Sequence, residues 1–214
     1  MLHKITALTL QKKNRQRINV FLDGEFAFGL DRLVAGWLNT GQEISDERIA
    51  ELKSADSREV AFQSALHLLK YRPRTESEMR SRLLQKSISP QVVEEVIERL
   101  KRNQMLDDRR FTIEWIENRS ELKPRGRRLL EFELRQHGVE QEIIQDSLAD
   151  VDDEQLAYQA AARRVRKYQE LEWSEFRIKL ARYLSQRGFQ YDTIRDVTNQ
   201  IWNEIHETES TPQS

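Results

Sequence analysis

The sequence predicts a mostly helical protein in which tandem three-helix repeats follow a small antiparallel β meander. The 214 residues include only 7 Gly and 4 Pro, a composition that favours helices over a loop-rich all-β fold. Apolar residues recur at a fixed long spacing through the later part of the chain. Near the start, short alternating apolar runs flank an Asp-Gly pair. We therefore expect three repeats stacked behind the meander as an elongated, curved array.

The strand signal is confined to the start of the chain. Apolar residues alternate along the chain over residues 18–22 and 26–30, on either side of Asp23-Gly24. Tight hairpin turns need positive φ, which Asp-Gly supplies, so we predict a three-stranded antiparallel meander over about residues 3–30. Two short helices are expected next, over about residues 31–38 and 46–54, with Ser45 as the N-cap of the second.

The repeat emerges when Ser87, Gly138 and Gly188 are aligned. The offsets are 138 − 87 = 51 and 188 − 138 = 50 residues, and Gly138 is expected to close a helix in the left-handed conformation. The apolar positions brought into register are Met79/Leu130/Leu180, Leu83/Leu134/Leu184, Ile88/Val139/Phe189, Val93/Ile144/Ile194 and Leu100/Val151/Ile201. The predicted domains are 1–56 (meander and short helices), 57–106, 107–151 and 152–206 (repeats one to three) and a polar tail at 207–214.

Helix boundaries are clearest in the first repeat. Pro73 should end helix one, because the residue before a proline avoids the α region. Thr75 and Glu78 form a capping-box pattern at the start of helix two. Ser89 followed by Pro90 is typical of the N-cap and first position of helix three.

Several classes of function lack support in the sequence. The chain has no cysteine, its four histidines lack metal-ligand spacing, and no phosphate-binding glycine loop or serine-nucleophile motif is present. No apolar run approaches the roughly 18 residues of a membrane span, and the start is too polar for a signal peptide. We therefore expect a cytoplasmic, non-catalytic protein without a cofactor, a metal or a membrane partner.

Basic residues cluster around the junction of helices one and two in each repeat, whereas acidic residues prefer helix three. Because the formal net charge is only −1, an acidic partner would have to meet a local patch rather than the whole protein. The candidate partner-binding residues are Arg72, Arg74, Arg80, Arg82, Lys123, Arg125, Arg127, Arg128, Arg163, Arg164, Arg166, Lys167, Arg177, Lys179 and Arg182. They form either a broken stripe suited to carboxylates or phosphates, or ordinary solvated faces with local ion pairs.

Three ordered blocks resemble the bacterial RecX regulatory proteins. They are ALHLLKYRPRTESEMRSRLLQKSISPQVVEEVIERLKRNQMLDDRRF, KPRGRRLLEFELRQHGV and FRIKLARYLSQRGFQYDTIRDV. The resemblance covers about residues 57–205, and the stretch ITALTLQKKNRQRINVFLDGEFAFGL resembles the β-containing extension of longer members. Ser87 departs from the family pattern, where many members have glycine, so we expect a less favourable helix cap there.

The resemblance implies a regulator of the RecA recombinase. Proteins of this family are helical-repeat proteins that lie in the groove of the RecA–single-stranded-DNA filament. They modulate, and most often inhibit, its ATPase, strand exchange and coprotease activities in DNA repair, recombination and the SOS response. The basic residues above would then be candidates for contact with the filament. We expect a monomer that binds single- or double-stranded DNA only weakly by itself.

The residues alone leave a second hypothesis open. The basic clusters are also compatible with a stand-alone DNA-binding protein that uses helix-turn-helix-like repeats. Such a protein would bind DNA without RecA and with a steep dependence on salt. The near-neutral net charge argues against tight autonomous binding.

Overall fold

The computed structural model describes residues 1–209 and confirms the mostly helical class with a small N-terminal antiparallel sheet. The strands are β1 (Leu2–Leu10), β2 (Arg17–Leu22), β3 (Glu25–Asp31) and β4 (Glu43–Ser45). The helices are α1 (Arg32–Ala35), α2 (Asp46–Tyr71), α3 (Glu76–Leu84), α4 (Pro90–Arg102), α5 (Asp108–Leu122), α6 (Arg127–Gln136), α7 (Gln141–Leu148), α8 (Asp153–Val165), α9 (Trp173–Ser185) and α10 (Tyr191–Glu209). Residues 207–209 of the predicted polar tail continue α10, and residues 210–214 lie outside the described residues.

The sheet has four strands in the order β3-β2-β1-β4, and each neighbouring pair is antiparallel. The predicted hairpin is confirmed, with Asp23 at φ 51° and Gly24 at φ 95°. The three predicted strands are confirmed as β1, β2 and β3, but the prediction missed β4, which pairs with the start of β1. β4 has only three residues and a single buried side chain, Ile44, so it shows no alternation that a pattern search could detect.

The predicted break between a short helix at 46–54 and the next helix is also wrong. α2 runs without interruption over 26 residues, because this segment contains no Gly or Pro to stop it. Asp56, a weak helix former, is held in the middle of α2 by partners on the sheet. Its carboxylate accepts from Arg17 Nη2 at 2.9 Å and from the Asp31 N–H at 2.5 Å. The predicted N-cap is confirmed, since Ser45 accepts from the Arg48 N–H at 3.2 Å.

α1 is shorter than the predicted helix at 31–38. Asp31 caps its start by accepting from the Leu33 N–H at 2.9 Å. Gly36 follows Ala35 as the C-cap, and the low helix propensity of glycine accounts for the early end.

The described chain divides into two compact units. The first comprises Met1–Arg74 and Met79–Leu106, and it contains the sheet and helix three of the first repeat. The second comprises Thr75–Glu78 together with the chain from Asp107 onward. The first turn of α3 therefore belongs with the second and third repeats.

Burial confirms the repeat alignment in helix two, whereas Val151, which was aligned with the buried Leu100, lies beyond the end of α7 and is half-buried. Six helix-two side chains at two aligned positions are all fully buried, and they are Met79, Leu130, Leu180, Leu83, Leu134 and Leu184. Each repeat gathers its own apolar cluster around them, on which the helix-three stripe also packs. Burying a side chain of this size contributes roughly 1.5–3 kcal/mol.

Within the second unit, the start of α3 docks onto the second repeat. Thr75 Oγ1 donates to the His137 carbonyl at 2.5 Å, and it also accepts from the Glu78 N–H at 3.2 Å, which confirms the Thr75 half of the predicted capping box. The Glu76 N–H donates to Asp108 Oδ1 at 2.8 Å. An orphan donor of one helix is thereby satisfied by the carboxylate that begins helix one of the next repeat.

The same joint recurs between the second and third repeats. The Gly126 N–H donates to the Arg187 carbonyl at 2.8 Å, and the Arg127 N–H donates to Asp153 Oδ1 at 2.7 Å. Burial of the Asp153 carboxyl group raises its pKa. In both joints, a backbone N–H at the start of helix two donates to an aspartate at the start of helix one of the next repeat, so the following repeat fixes the starts of α3 and α6.

The joint explains why a glycine follows helix two in two of the three repeats. Gly138 has φ 74°, and a Cβ there would lie 2.4 Å from the Ser77 side chain. Gly188 has φ 83°, and its Cβ would lie 2.4 Å from that of Leu129. Ser87 has φ 60° but is exposed, so the backbone conformation alone disfavours a side chain at that position.

The predicted N-cap of α4 is confirmed in position but not in its hydrogen bond. Ser89 precedes Pro90 at the start of α4, as expected, but its side chain makes no capping hydrogen bond.

Candidate partner-binding surface

Two of the predicted basic residues follow α2 and bond to nearby backbone. Arg72 is exposed, and its Nη1 donates to the Pro73 carbonyl at 3.0 Å. Arg74 is half-buried, and its Nε donates to the Leu68 carbonyl at 3.3 Å. Arg74 therefore helps to hold the end of α2 in place.

On α3, the basic side chains are engaged by neighbours on the same unit. Arg80 forms a two-pronged contact with Glu94 of α4, at 2.6 and 2.9 Å. The hydrogen bonds from Arg80 lower the pKa of Glu94. Arg82 is exposed and donates to Gln85 Oε1 at 3.2 Å. The acidic preference of helix three thus supplies the counter-charge for Arg80.

Glu133 collects several basic and polar side chains inside the second repeat. Arg125 is ion-paired with this carboxylate. Arg119 Nε and Trp115 Nε1 donate to its Oε2 at 3.1 and 3.0 Å. Burial, together with the nearby charges of Arg119 and Arg187, lowers the pKa of Arg125. The contacts give Arg125 a structural role within the repeat.

Arg127 closes the end of a neighbouring helix. Its Nε donates to the Val151 carbonyl at 2.8 Å, and its Nη2 reaches both the Val151 and the Ala149 carbonyls. A guanidinium at the end of α7 complements the negative end of the helix dipole.

Three basic residues of the third repeat also have partners within the chain. Arg163 donates to the Leu122 carbonyl at 3.2 Å. Arg164 donates to the Tyr168 hydroxyl at 3.3 Å and lies 5.3 Å from the centre of the Tyr183 ring. Lys179 pairs with Glu175 one helical turn away at 2.6 Å. Only the last of these is an ordinary exposed pair, worth a few tenths of a kcal/mol.

The side chains of six of the fifteen candidates make no hydrogen bond or ion pair with residues 1–206, whose side chains the structure describes. They are Lys123, Arg128, Arg166, Lys167, Arg177 and Arg182, and all six are exposed. Arg166 and Lys167 follow the end of α8 rather than lying on it. These six side chains keep their full donor capacity for a partner.

Three of these six meet at one groove of about 920 Å³ in the second unit. We call it the α9 groove, and its lining includes Arg128, Trp173, Arg177, Ile178, Arg182 and Tyr191. α6 contributes the first arginine, α9 contributes the other two, and the start of α10 contributes the tyrosine. The structure therefore brings together candidates from the second and third repeats.

The α9 groove also carries exposed apolar side chains. Ile178 is 54% exposed and Tyr191 is 77% exposed. Trp173, by contrast, is half-buried and packs on Phe176 and Trp202. The surface combines unpaired guanidiniums with apolar contact area, a combination typical of protein interfaces.

Ile178 and Tyr191 were missing from the predicted surface, although the repeat alignment contains a signal for both. Ile178 occupies the position of Arg128, since 178 − 128 = 50. Tyr191 occupies the position of Gln141, since 191 − 141 = 50. An apolar residue at a position where the preceding repeat has a polar one indicates an exposed contact rather than core.

Among the side chains of residues 1–206, no group of three or more His, Asp or Glu could hold a metal ion. None of the helices in this part of the chain is both long and apolar enough to cross a membrane.

Comparison with protein families matches four consecutive regions. The model of the RecX N-terminal domain matches residues 3–45. The models of the first, second and third three-helix domains of RecX match residues 61–100, 107–148 and 152–198. The matched regions follow the sheet and the three helical repeats in order.

Individual relatives agree with the family models. The regulatory protein RecX of Bacillus subtilis is 32% identical over 202 residues, which cover 92% of this chain and 76% of the relative. That of Clostridium botulinum strain Alaska E43 is 28% identical and is covered over 97% of its length. A crystal structure of regulatory protein RecX superposes with a TM-score of 0.74 at 25% identity, covering 92% of this chain and 99% of the other. RecX from Lactobacillus salivarius has the same fold, with a TM-score of 0.63 at 21% identity over 70% of this chain and 99% of the other.

Proposed function

We propose that this chain, which belongs to the RecX family of regulatory proteins, regulates RecA by binding the RecA–single-stranded-DNA filament. The observation that carries the proposal is the match of the N-terminal domain and all three helical domains, in order, along one chain. The protein lies in the filament groove and contacts neighbouring RecA subunits. The consequence is inhibition of ATPase, strand exchange and coprotease activity, and hence control of DNA repair, recombination and the SOS response.

The proposed mechanism requires binding energy rather than bond chemistry. A regulator shifts a filament between states only by binding one state more tightly than the other. The six unpaired basic side chains support such a role, because an arginine that is not satisfied within its own chain can form two-pronged contacts with carboxylates or phosphates. Arg128, Arg177 and Arg182 are the strongest candidates, since they line one groove.

The proposal is tested by the ATPase activity of RecA on single-stranded DNA. Pre-formed filaments would be titrated with this protein, and RecA would also be mixed with it before DNA is added. We expect ATP hydrolysis to fall as the protein approaches a stoichiometric ratio to RecA. Unchanged hydrolysis at an excess of folded protein, in both orders of addition, would refute the proposed function.

The contribution of the groove is tested by reversing its charge. The triple variant Arg128→Glu, Arg177→Glu, Arg182→Glu should raise the concentration needed for inhibition by about tenfold or more, because attraction becomes repulsion. A matched control changes the same net charge at three exposed basic residues between β1 and β2, and its substitutions are Lys12→Glu, Lys13→Glu and Arg15→Glu. Equal effects of the two variants would mean that only net charge matters.

A further inference from the structure

The α9 groove holds more unsatisfied positive charge than its fold requires. The side chains of Arg128, Arg177 and Arg182 are exposed and make no hydrogen bond or ion pair with residues 1–206, the part of the chain whose side chains the structure describes. Several other arginines are paired with carboxylates of the fold, as Arg80 is with Glu94 at 2.6 Å and Arg109 with Asp146 at 2.8 Å. Three guanidiniums without counter-charges around one groove indicate that an anionic ligand completes it.

The groove is bounded by a neutralised region. Arg195, which also lines it, forms ion pairs with Asp192 at 3.3 Å and with Asp196 at 2.8 Å. The hydrogen bonds from Arg195 lower the pKa of Asp196, so this carboxylate remains negative and would repel an anion that passed over it. The positive charge is therefore a short patch and not the beginning of a long track.

The floor and rim of the groove favour the side chains of a bound peptide over the bases of a bound nucleic acid. Ile178 is 54% exposed, and Ala181, Phe189 and Ile194 line the groove with it. Single-stranded nucleic acid is held by successive aromatic platforms, one for each stacked base. Here Tyr191 is the one prominently exposed ring, since Trp173 packs on Phe176 and Trp202. Aliphatic area beside separate guanidiniums fits an apolar side chain flanked by carboxylates.

We propose that the α9 groove binds a short acidic peptide segment in which Asp or Glu residues flank one aliphatic or aromatic side chain. The carboxylates bind Arg128, Arg177 and Arg182, and the apolar side chain contacts Ile178 and Tyr191. This inference does not depend on the identity of the partner, so it can fail or succeed independently of RecA regulation.

The test uses a dye-labelled synthetic peptide that contains alternating Asp and Glu residues around a central Leu, and the full-length protein. Fluorescence anisotropy should show saturable binding that weakens as salt is raised. A peptide with Asn and Gln in place of Asp and Glu, and a labelled oligothymidylate, serve as the two comparison ligands. Preference for the oligothymidylate, or absence of saturable binding by the acidic peptide, would overturn the proposal.

Substitutions locate the binding to the groove. Arg128→Gln, Arg177→Gln and Arg182→Gln should each weaken acidic-peptide binding by about three- to tenfold, as expected for loss of a charge-assisted contact. Arg15→Gln removes an equally exposed arginine outside the groove and should leave binding unchanged. Ile178→Glu should abolish binding, whereas Ile178→Leu should retain it. If the groove variants bind as the native protein does, the peptide site lies elsewhere and the proposal is wrong.

Discussion

Ser87 has a left-handed backbone at φ 60° although it is not a glycine. At the aligned positions Gly138 and Gly188, a side chain would also meet Ser77 or Leu129, so glycine is needed there for two reasons. At residue 87 only the first reason holds. The departure from the family pattern therefore costs a limited amount of stability and leaves the fold intact.

The substitution Ser87→Gly should stabilise the protein by about 1 kcal/mol, because it relieves the left-handed conformation of a residue with a Cβ. The free energy of unfolding, measured by urea denaturation, checks it. Ser81→Gly places glycine inside α3 and should instead destabilise by roughly 0.5–1 kcal/mol. Equal losses from the two variants would show that residue 87 is not strained.

Glu133 is predicted to stabilise the second repeat, since Arg119, Arg125 and Trp115 converge on its largely buried carboxylate. Glu133→Gln should reduce the free energy of unfolding by about 2 kcal/mol, because two guanidiniums lose their anion. Glu131 of the same helix pairs with Arg135 at its surface at 2.6 Å. Glu131→Gln should therefore cost only about 0.3 kcal/mol, and a comparable loss at both positions would contradict the account.

His3 gives the N-terminal sheet a pH-dependent contact. Its ring nitrogens lie 3.0 Å from Asp46 Oδ1 and 3.2 Å from Asp23 Oδ2. The hydrogen bond to Asp46 and then that to Asp23 raise the pKa of His3, while the pKa values of both carboxyls are lowered. The histidine contribution to stability is complete below its unfolded pKa of about 6.5 and is lost as the pH rises through the folded value.

Native protein and His3→Gln should therefore differ more in their thermal midpoint below about pH 6 than above about pH 8. At acidic pH the contact is lost again, because the contribution of Asp23 and Asp46 to stability disappears as the pH falls through their lowered pKa values. High salt should reduce the difference, since the contact is exposed. His67→Gln is a suitable control, because His67 contacts no carboxylate among the described residues. A midpoint difference that did not change with pH would exclude the contact.

The structural role of a residue could be predicted where one local rule decides it. It could not be predicted where the residue's partners are distant in the sequence. The buried Met79 and Leu83 and the positive φ at residue 87 follow from periodicity and capping. By contrast, periodicity does not reveal that Arg125 is paired with Glu133 whereas Arg128 is unpaired. That difference depends on which helix faces each side chain, and it separates structural arginines from candidates for partner contact.

Among the elements, the joints between repeats account for the order of the second unit. Helix two of the first repeat and helix two of the second each begin with a backbone N–H group that donates to the following repeat. The sequence predicted the repeats themselves, because the period is visible in their apolar positions. It could not predict the joints, since backbone donors leave no trace in residue type. The absence of Gly and Pro from the α2 segment was a signal that this helix is continuous, whereas the three residues of β4 carry no pattern that shows a fourth strand.

The joint predicts a large effect from a small substitution. Gly126→Ala adds a Cβ that would lie 2.5 Å from the Gly188 carbonyl oxygen, a backbone atom that cannot move independently. We expect a loss of about 2 kcal/mol or more in the free energy of unfolding. Gly36→Ala is the matched control, because its nearest atom lies at 3.5 Å and its φ is −60°. That change should be neutral or slightly stabilising, and similar effects of the two variants would show that the joint is not tightly packed.

For the whole molecule, family membership supports the proposed function, and the geometry of the surface supports the proposed contact residues. The ordered match of four RecX regions supports regulation of RecA, and the six unpaired basic side chains indicate where contact would occur. The formal net charge of −1 means that non-specific attraction to DNA supplies little of the affinity. Recognition of the filament should therefore require contact with the protein surface of RecA in addition to contact with DNA phosphates.

The most direct measurement compares binding to RecA–single-stranded-DNA filaments with binding to the same DNA without RecA, by co-sedimentation over a range of salt concentrations. We expect saturable binding to the filament that is at least about tenfold tighter than binding to bare DNA and that persists at salt concentrations that remove the protein from bare DNA. Equal affinity for the two, with the same steep loss in salt, would contradict the account and indicate a stand-alone DNA-binding protein.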